Sequence, residues 1–161
     1  MPDGDRRFYI IPPEAGREII CVGKIEFAER FAIEFGEGTH IVDTLAAPYY
    51  PMVKKIENGE PVYLEFGGWD MVAHPELNLI EAVKKACPPM VRAFLAKGCD
   101  PNATDPNGGT ALIWAVARGN IDAVRLLIEA GASIGAADLN GMTALKMAHG
   151  KRRDDIAALL V

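Results

Sequence analysis

Residues 105–120 read DPNGGTALIWAVARGN, and residues 138–153 read DLNGMTALKMAHGKRR. The second stretch begins 33 residues after the first. Carried to Val161, the alignment of 105–128 on 138–161 gives ten identities in 24 positions. Average composition gives roughly two by chance. The identities are Asp105/Asp138, Asn107/Asn140, Gly108/Gly141, Thr110/Thr143, Ala111/Ala144, Leu112/Leu145, Ala115/Ala148, Asp122/Asp155, Leu126/Leu159 and Leu127/Leu160. A fixed period of this size marks stacked units, none of which can bury its apolar face alone.

The chemistry inside one unit is legible. Thr110 stands just before the apolar run Ala-Leu-Ile-Trp-Ala-Val and is a good N-cap. Gly119 follows that run and suits the left-handed position past a helix end. Ile121, Val124, Leu127 and Ile128 then recur at helical spacing, and Gly131 stops the second helix in the same way. Pro106-Asn107-Gly108-Gly109 is turn chemistry between units. The unit is turn, helix, turn, helix.

This pattern resembles the ankyrin repeat family, whose repeat opens with Asp and a turn Gly, then Thr-Pro-Leu-His-x-Ala, a helix, Gly, a second helix, and Gly-Ala. The matching residues here are Asp105, Gly108, Thr110-Ala111-Leu112, Ala115, Gly119-Asn120, Val124, Leu126-Leu127 and Gly131-Ala132. Ala111 and Ile113 stand where the family has Pro and His. One period earlier, Leu77 falls on Thr110, and Leu79, Ala82-Val83, Val91, Phe94-Leu95, Gly98 and Asn102-Ala103 keep the frame. Asn78 or Pro75 is expected at that helix start, with Cys87-Pro88-Pro89 in the turn between helices. In the last unit Arg152-Arg153 replace Gly119-Asn120, and Asp154-Asp155 favour the start of its second helix. The repeats are expected over 72–104, 105–137 and 138–161.

Residues 1–70 resemble no family. RFYII (7–11), REIICVGKIEF (17–27), RFAIEFG (30–36) and PVYLEFGG (61–68) read as strands, with Glu29-Arg30 separating the second from the third. Phe31, Ile33 and Phe35 alternate with polar or small residues, and so do Val62, Leu64 and Phe66. Gly36-Glu37-Gly38 reads as a turn. A short helix is expected within 40–58, interrupted by Pro48 and Pro51 and ended by Asn58-Gly59. Gly67-Gly68 reads as the joint to the repeats. The expected fold class is α+β: a small, mainly antiparallel β N-terminal domain over 1–70 that caps the repeats, then an α-helical ankyrin repeat solenoid over 71–161.

Composition excludes several classes. No stretch of 18 or more apolar residues is present, so no membrane helix is indicated. The opening MPDGDRRFYIIPPEAG has no apolar run of signal-peptide length. A soluble, cytoplasmic protein is expected. Cys21, Cys87 and Cys99 are odd in number and show no C-x-x-C spacing, which fits free thiols. Residues 1–70 hold 13 acidic and 7 basic side chains, and residues 71–161 hold 9 and 10. The acidic half argues against nucleic acid and anionic membranes as partners.

Few residues in the chain carry chemistry in a recognisable pattern. Ser133 is the sole serine, which argues against a Ser-His-Asp triad. His40, His74 and His149 lie far apart, and no Cys/His cluster has zinc spacing. EFGEGTH (34–40) lacks the third glycine of a dinucleotide fingerprint and reads as a turn. Glu34, Glu37 and Asp43 form an acidic cluster whose default reading is a solvated face; paired carboxylates also suit acid–base work or a divalent cation. Lys151-Arg152-Arg153 reads as a solvated helix start, since two acids follow it. No catalytic, cofactor or metal residue is assigned.

The ankyrin resemblance implies partner contacts at hairpin tips and on the exposed side of the first helices. Those positions here are Pro106, Asn107 and Gly109 in one hairpin, and Leu139, Asn140 and Met142 in the next. On the helices they are Lys84-Lys85, Ala117-Arg118 and Gly150-Lys151. Lys85, Arg118 and Lys151 recur at a spacing of 33 and make a basic ridge suited to an acidic partner. The resemblance thus implies a non-enzymatic protein–protein interaction module without a cofactor. The small size and acidic attached domain fit an inhibitor, immunity factor or adaptor. The chain is expected to be a monomer or a weak homodimer pairing through Ile156 to Val161. The alternative is an enzyme or a small-ligand or metal-binding N-terminal domain with the repeats as targeting arm, resting on Glu34, Glu37 and Asp43.

Overall fold

The computed structural model describes residues 7–14, 16–44, 53–64 and 75–161. The chain divides into two units, Met1–Met71 and Val72–Val161. In the first, strands β1 (Phe8–Ile11), β2 (Ile20–Val22), β3 (His40–Asp43), β4 (Val53–Glu57) and β5 (Glu60–Leu64) form one antiparallel sheet in the order β2-β1-β3-β4-β5. β1 lies between β2 and β3: Ile10 faces Ile20 on one side and Ile41 on the other. Asn58 and Gly59 join β4 to β5 with φ of 53° and 78°. That is the two-residue hairpin turn whose twist matches the strands it joins.

Helix α1 (Ile25–Phe35) covers one face of this sheet. Ala28 and Ala32 let it sit close to Phe8, Ile10, Ile41 and Ile56, and Ile25, Phe31 and Phe35 close the sides. The strand expected over 30–36 is therefore a helix, and only Ile20–Val22 of the strand expected over 17–27 is extended. The window carries two periods at once. Phe31, Ile33 and Phe35 alternate, but Ile25, Ala28, Ala32 and Phe35 make a helical face. The sheet's apolar face needs a cover, and the helical period supplies it. Ile33 is left 46% exposed as a result. Glu29 does not break strands: it lies within α1 and pairs with Lys54.

Of the segment expected to hold a short helix, 40–44 and 53–58 are not helical, and 45–52 lie outside the described residues. β3 and β4 occupy its ends, and Asn58-Gly59 turns a hairpin. Strand β5 forms as expected, whereas Phe66, Gly67-Gly68, Pro48 and Pro51 lie outside the described residues.

The second unit is built of helix pairs: α2 (Pro75–Lys84) with α3 (Pro88–Ala96), α4 (Ala111–Arg118) with α5 (Ile121–Glu129), and α6 (Ala144–Gly150) with α7 (Asp154–Ala157). A 3-10 turn, Ala158–Leu160, continues α7. α4 packs against both α2 and α6, and α5 against α3. Ala82, Ala115 and Ala148, one per repeat, are fully buried, so small side chains sit inside the repeat stack. Thr110 and Thr143 cap α4 and α6, accepting from the N–H of Ile113 and Lys146 at 3.2 Å each. α2 begins at Pro75, so Asn78 lies within the helix rather than at its cap.

One turn recurs between the helices of every pair. The N–H of Cys87, Asn120 and Arg153 donates to the carbonyl of Ala82, Ala115 and Ala148, at 3.2, 3.0 and 2.9 Å. The residue before each donor is left-handed: Ala86, Gly119 and Arg152, with φ of 54°, 68° and 55°. The turn survives where the glycine does not. The C-terminal apolar stretch is used internally, with Ile156, Ala157 and Leu160 buried and Val161 93% exposed. The face expected to pair in a homodimer is therefore mostly spent inside the third repeat.

Candidate interaction surface on the repeats

Each turn joining two repeats is a hairpin closed by one bridge, Thr104 to Thr110 and Ala137 to Thr143. An aspartate holds each from inside. Asp105 Oδ1 accepts hydrogen bonds from the N–H of Asn107 and Gly109, both at 2.9 Å. Asp138 Oδ1 accepts from Asn140 at 2.8 Å and Met142 at 2.9 Å. The Leu139 N–H donates to the Asn107 carbonyl at 3.2 Å, tying the second hairpin to the first. Side-chain bonds of this kind make Asp a turn former. The hairpins are thus fixed by the chain's own groups.

Asp105 also gathers the first helices. Its Oδ2 accepts from Trp114 Nε1 at 2.8 Å. Lys84 Nζ sits 4.4 Å from the centre of the Trp114 ring and donates to Glu81 at 3.1 Å. Burial alone would raise the Asp105 pKa. The hydrogen bonds from Trp114, Gly109 and Asn107, with the Lys84 charge nearby, outweigh burial and hold it below its ordinary value. A half-buried indole pinned at its N–H and stacked under an ammonium is a rigid element of this surface.

The residues expected at the surface divide. Pro106, Asn107, Leu139, Asn140, Gly150, Arg118 and Lys151 are exposed, and Leu139 is 80% exposed. Ala117, Lys85 and Met142 are half-buried. Gly109 is buried, so its assignment to the hairpin tip is corrected: its N–H serves Asp105, and a side chain there would meet Asp105 and Trp114. Lys84 is half-buried, and its ammonium is turned onto Trp114 and Glu81. The exposed part of the basic ridge is Arg118 and Lys151.

Three contributors were missed in the sequence. Trp114 and Asp105 could have been found by asking which group near an indole donor recurs in every turn. Arg152 is set on Gly119 by the frame but reads as part of a solvated helix start.

The acidic cluster of the first unit disperses. Asp43, 1% exposed at its side chain, binds Arg7 through both oxygens at 2.8 to 3.1 Å. Glu37 accepts from the N–H of Asn58 at 3.1 Å and of Gly59 at 2.7 Å, bracing the hairpin turn. Glu34 is exposed on α1. Two of the three carboxylates hold the fold together. Among the described residues, no group of three or more His, Cys, Asp or Glu is placed to hold a metal ion. His40 is half-buried on β3, with its pKa lowered by burial and by the charge of Lys55 against a weaker opposing bond from Gly38. Burial pushes the Cys87 thiol up to about 11, which keeps it protonated and unreactive. Among the described residues, no helix is long and apolar enough to cross a membrane. His74 lies outside them.

Capped helix pairs, joined by braced hairpins and stacked at a period of 33, define a helical repeat protein. The family model for ankyrin repeats in three copies matches residues 79–161, and the chain belongs to that family. No family matches the N-terminal part. No curated protein sequence matches the chain. Ankyrin repeats are in general protein–protein interaction modules.

Proposed function

We propose that the chain is a non-catalytic module that binds a partner protein through the hairpin tips and first helices of its repeats, and that it blocks or tethers that partner as an inhibitor, immunity factor or adaptor. The observation that carries the reading is the bracing of the hairpins. Asp105 and Asp138 turn inward to hold the backbone, while Pro106, Asn107, Leu139 and Asn140 are displayed on a fixed frame. A preordered surface loses little conformational freedom on binding, which favours affinity. Leu139 is its apolar anchor, and Arg118 and Lys151 flank it with charge. A catalytic or cation-binding first unit is less supported, since Asp43 and Glu37 are committed to Arg7 and to the hairpin turn.

The test is affinity capture from the source cell with the wild-type chain beside Leu139→Asp. Circular dichroism first confirms that the variant folds. One protein is expected to be retained by the wild type and lost with Leu139→Asp. Retention of the same protein by both would remove the hairpin tips from the surface. Failure of either chain to retain any specific protein would overturn the reading.

A further inference from the structure

We propose that Arg118, Lys151, Arg152 and Arg153 form a cationic ledge at the turn ends of the second and third repeats, and that this ledge takes an acidic segment of the partner protein. The inference rests on the protein-binding reading and adds the partner's chemistry. Arg118 and Lys151 occupy equivalent places in neighbouring repeats, on α4 and just past α6, which pack together. Arg118, Lys151 and Arg152 are exposed. Among the described residues none of the four forms an ion pair, whereas Arg7, Lys54, Lys55 and Lys84 all do. The acids next in sequence do not neutralise the ledge. Asp154 and Asp155 lie in the first turn of α7, and Asp155 accepts from the Ile156 N–H at 2.9 Å.

Two details of the fold position these charges. Arg152 stands in the left-handed region, where the second repeat has Gly119. Glycine takes that conformation freely and a long side chain does not. Ala86 holds the same conformation in the first repeat, so what distinguishes the third repeat is the charged side chain that it sets at this turn. Arg153 reaches across to the second repeat. Its guanidinium lies against Gly119, so closely that a Cβ on Gly119 would collide with it. Its Nε is buried and has no hydrogen-bond partner. Seated on Gly119 and, among the described residues, in no ion pair, the Arg153 guanidinium adds its charge to the ledge, and the carboxylates of an acidic segment complement that charge.

An acidic protein segment is favoured over nucleic acid. The chain carries −5 overall, and the excess of acids over bases lies in residues 1–70. That net negative charge disfavours a long polyanion more than a short acidic segment.

The test is fluorescence anisotropy of a labelled decaglutamate peptide with the full chain at low salt. Saturable binding is expected, weakened about tenfold between low and moderately high salt as exposed charges are screened. Arg152→Gly removes one charge while relaxing the turn, so misfolding cannot explain its effect. It is expected to bind roughly threefold to fivefold more weakly. Arg118→Gln, Lys151→Gln and Arg152→Gly together are expected to abolish saturable binding. Absence of decaglutamate binding by the wild type, or equal binding by wild type and Arg152→Gly, would overturn the ledge. Tighter binding of a ten-nucleotide single strand than of decaglutamate would overturn the choice of partner. A concentration-dependent dimer in sedimentation that the triple variant loses would also overturn it, in favour of a second copy. If the captured protein is lost with Leu139→Asp but held by the triple variant, the protein-binding reading stands and the ledge falls.

Discussion

The two units order their chains in opposite ways. In the repeats, the deciding bonds are short in sequence: Thr110 caps Ile113, Asp105 holds Asn107 and Gly109, and each turn between helices closes over five residues. In the sheet unit they are long. Arg7 reaches Asp43 across 36 residues, Lys54 reaches Glu29 across 25, and β1 sits between two strands that follow it. The difference bears on function. The sheet unit spends Asp43, Lys54, Glu29 and Glu37 on its own closure. The repeats brace themselves mainly with backbone and short side chains, which leaves Arg118, Lys151, Arg152 and Leu139 facing outward.

The largest expected effect tests the long-range side of this contrast. Ile41 is fully buried between Ile10 and the cover of α1. Ile41→Ala is expected to destabilise the sheet unit by about 2–5 kcal/mol, the ordinary range for a core truncation. Urea unfolding followed by circular dichroism reads it. The sheet transition should move to lower urea while the helical transition stays in place. A loss below about 1 kcal/mol would mean that the site collapses without leaving a cavity. A shift of both transitions together would show that the units unfold as one.

The same contrast explains what could be read from the sequence. A repeat writes its rules inside each period, so the frame that places Thr110 also places Thr143, and Ala115 places Ala148. The sheet unit has no second copy to check against. In 25–35 a strand period and a helix period coexist, and only the unpaired face of β1, β3 and β4 decides between them. Asn58-Gly59 carried the strongest local signal in that unit, a two-residue hairpin turn. Its meaning as a helix end or a hairpin depended on what stood before it. On the repeats, the outward positions followed from the frame. What the frame could not show was which of them the chain uses itself. Gly109 and Lys84 are consumed by Asp105 and Trp114, contacts that depend on rotamers rather than spacing.

A second, smaller effect tests the local side. Thr110→Ala removes the side-chain bond to the Ile113 N–H and is expected to cost about 1 kcal/mol, typical of an N-cap. The helical transition in the same urea experiment should move alone. No change would mean that the Thr104–Thr110 bridge, rather than the cap, fixes the start of α4.

Acid should separate the units in order. Burial and Lys55 lower the His40 pKa, so the unfolded chain takes up a proton there before the folded one does. Stability from His40 is complete above about pH 6.5 and is lost as pH falls from there toward the folded pKa. Asp105 is held below its ordinary carboxylate range, so its stabilisation is present above about pH 4 and is lost only as pH falls through the folded value. The sheet unit should therefore weaken first on acidification. His40→Gln should remove the slope near pH 6 in a series of thermal melts. Equal slopes in wild type and variant would assign that loss to another group.

The smallest effect is the most pointed, because it asks whether the repeated turn or its glycine is the rule. Ala86 holds a left-handed conformation at φ 54° in the place of Gly119. An alanine there carries a steric penalty of about 1 kcal/mol that glycine avoids. Glycine returns part of that gain through the greater freedom of its unfolded chain. Ala86→Gly should thus stabilise the repeats by about 0.5 kcal/mol, readable as a small rise in Tm. The reciprocal change, Gly119→Ala, should do harm beyond the same penalty, because its Cβ also displaces the Arg153 guanidinium. Equal and opposite shifts would show that Arg153 moves aside freely and is not seated on Gly119. A larger loss in Gly119→Ala would show that the glycine of the middle repeat serves two masters, the turn and the arginine that the third repeat lays across it.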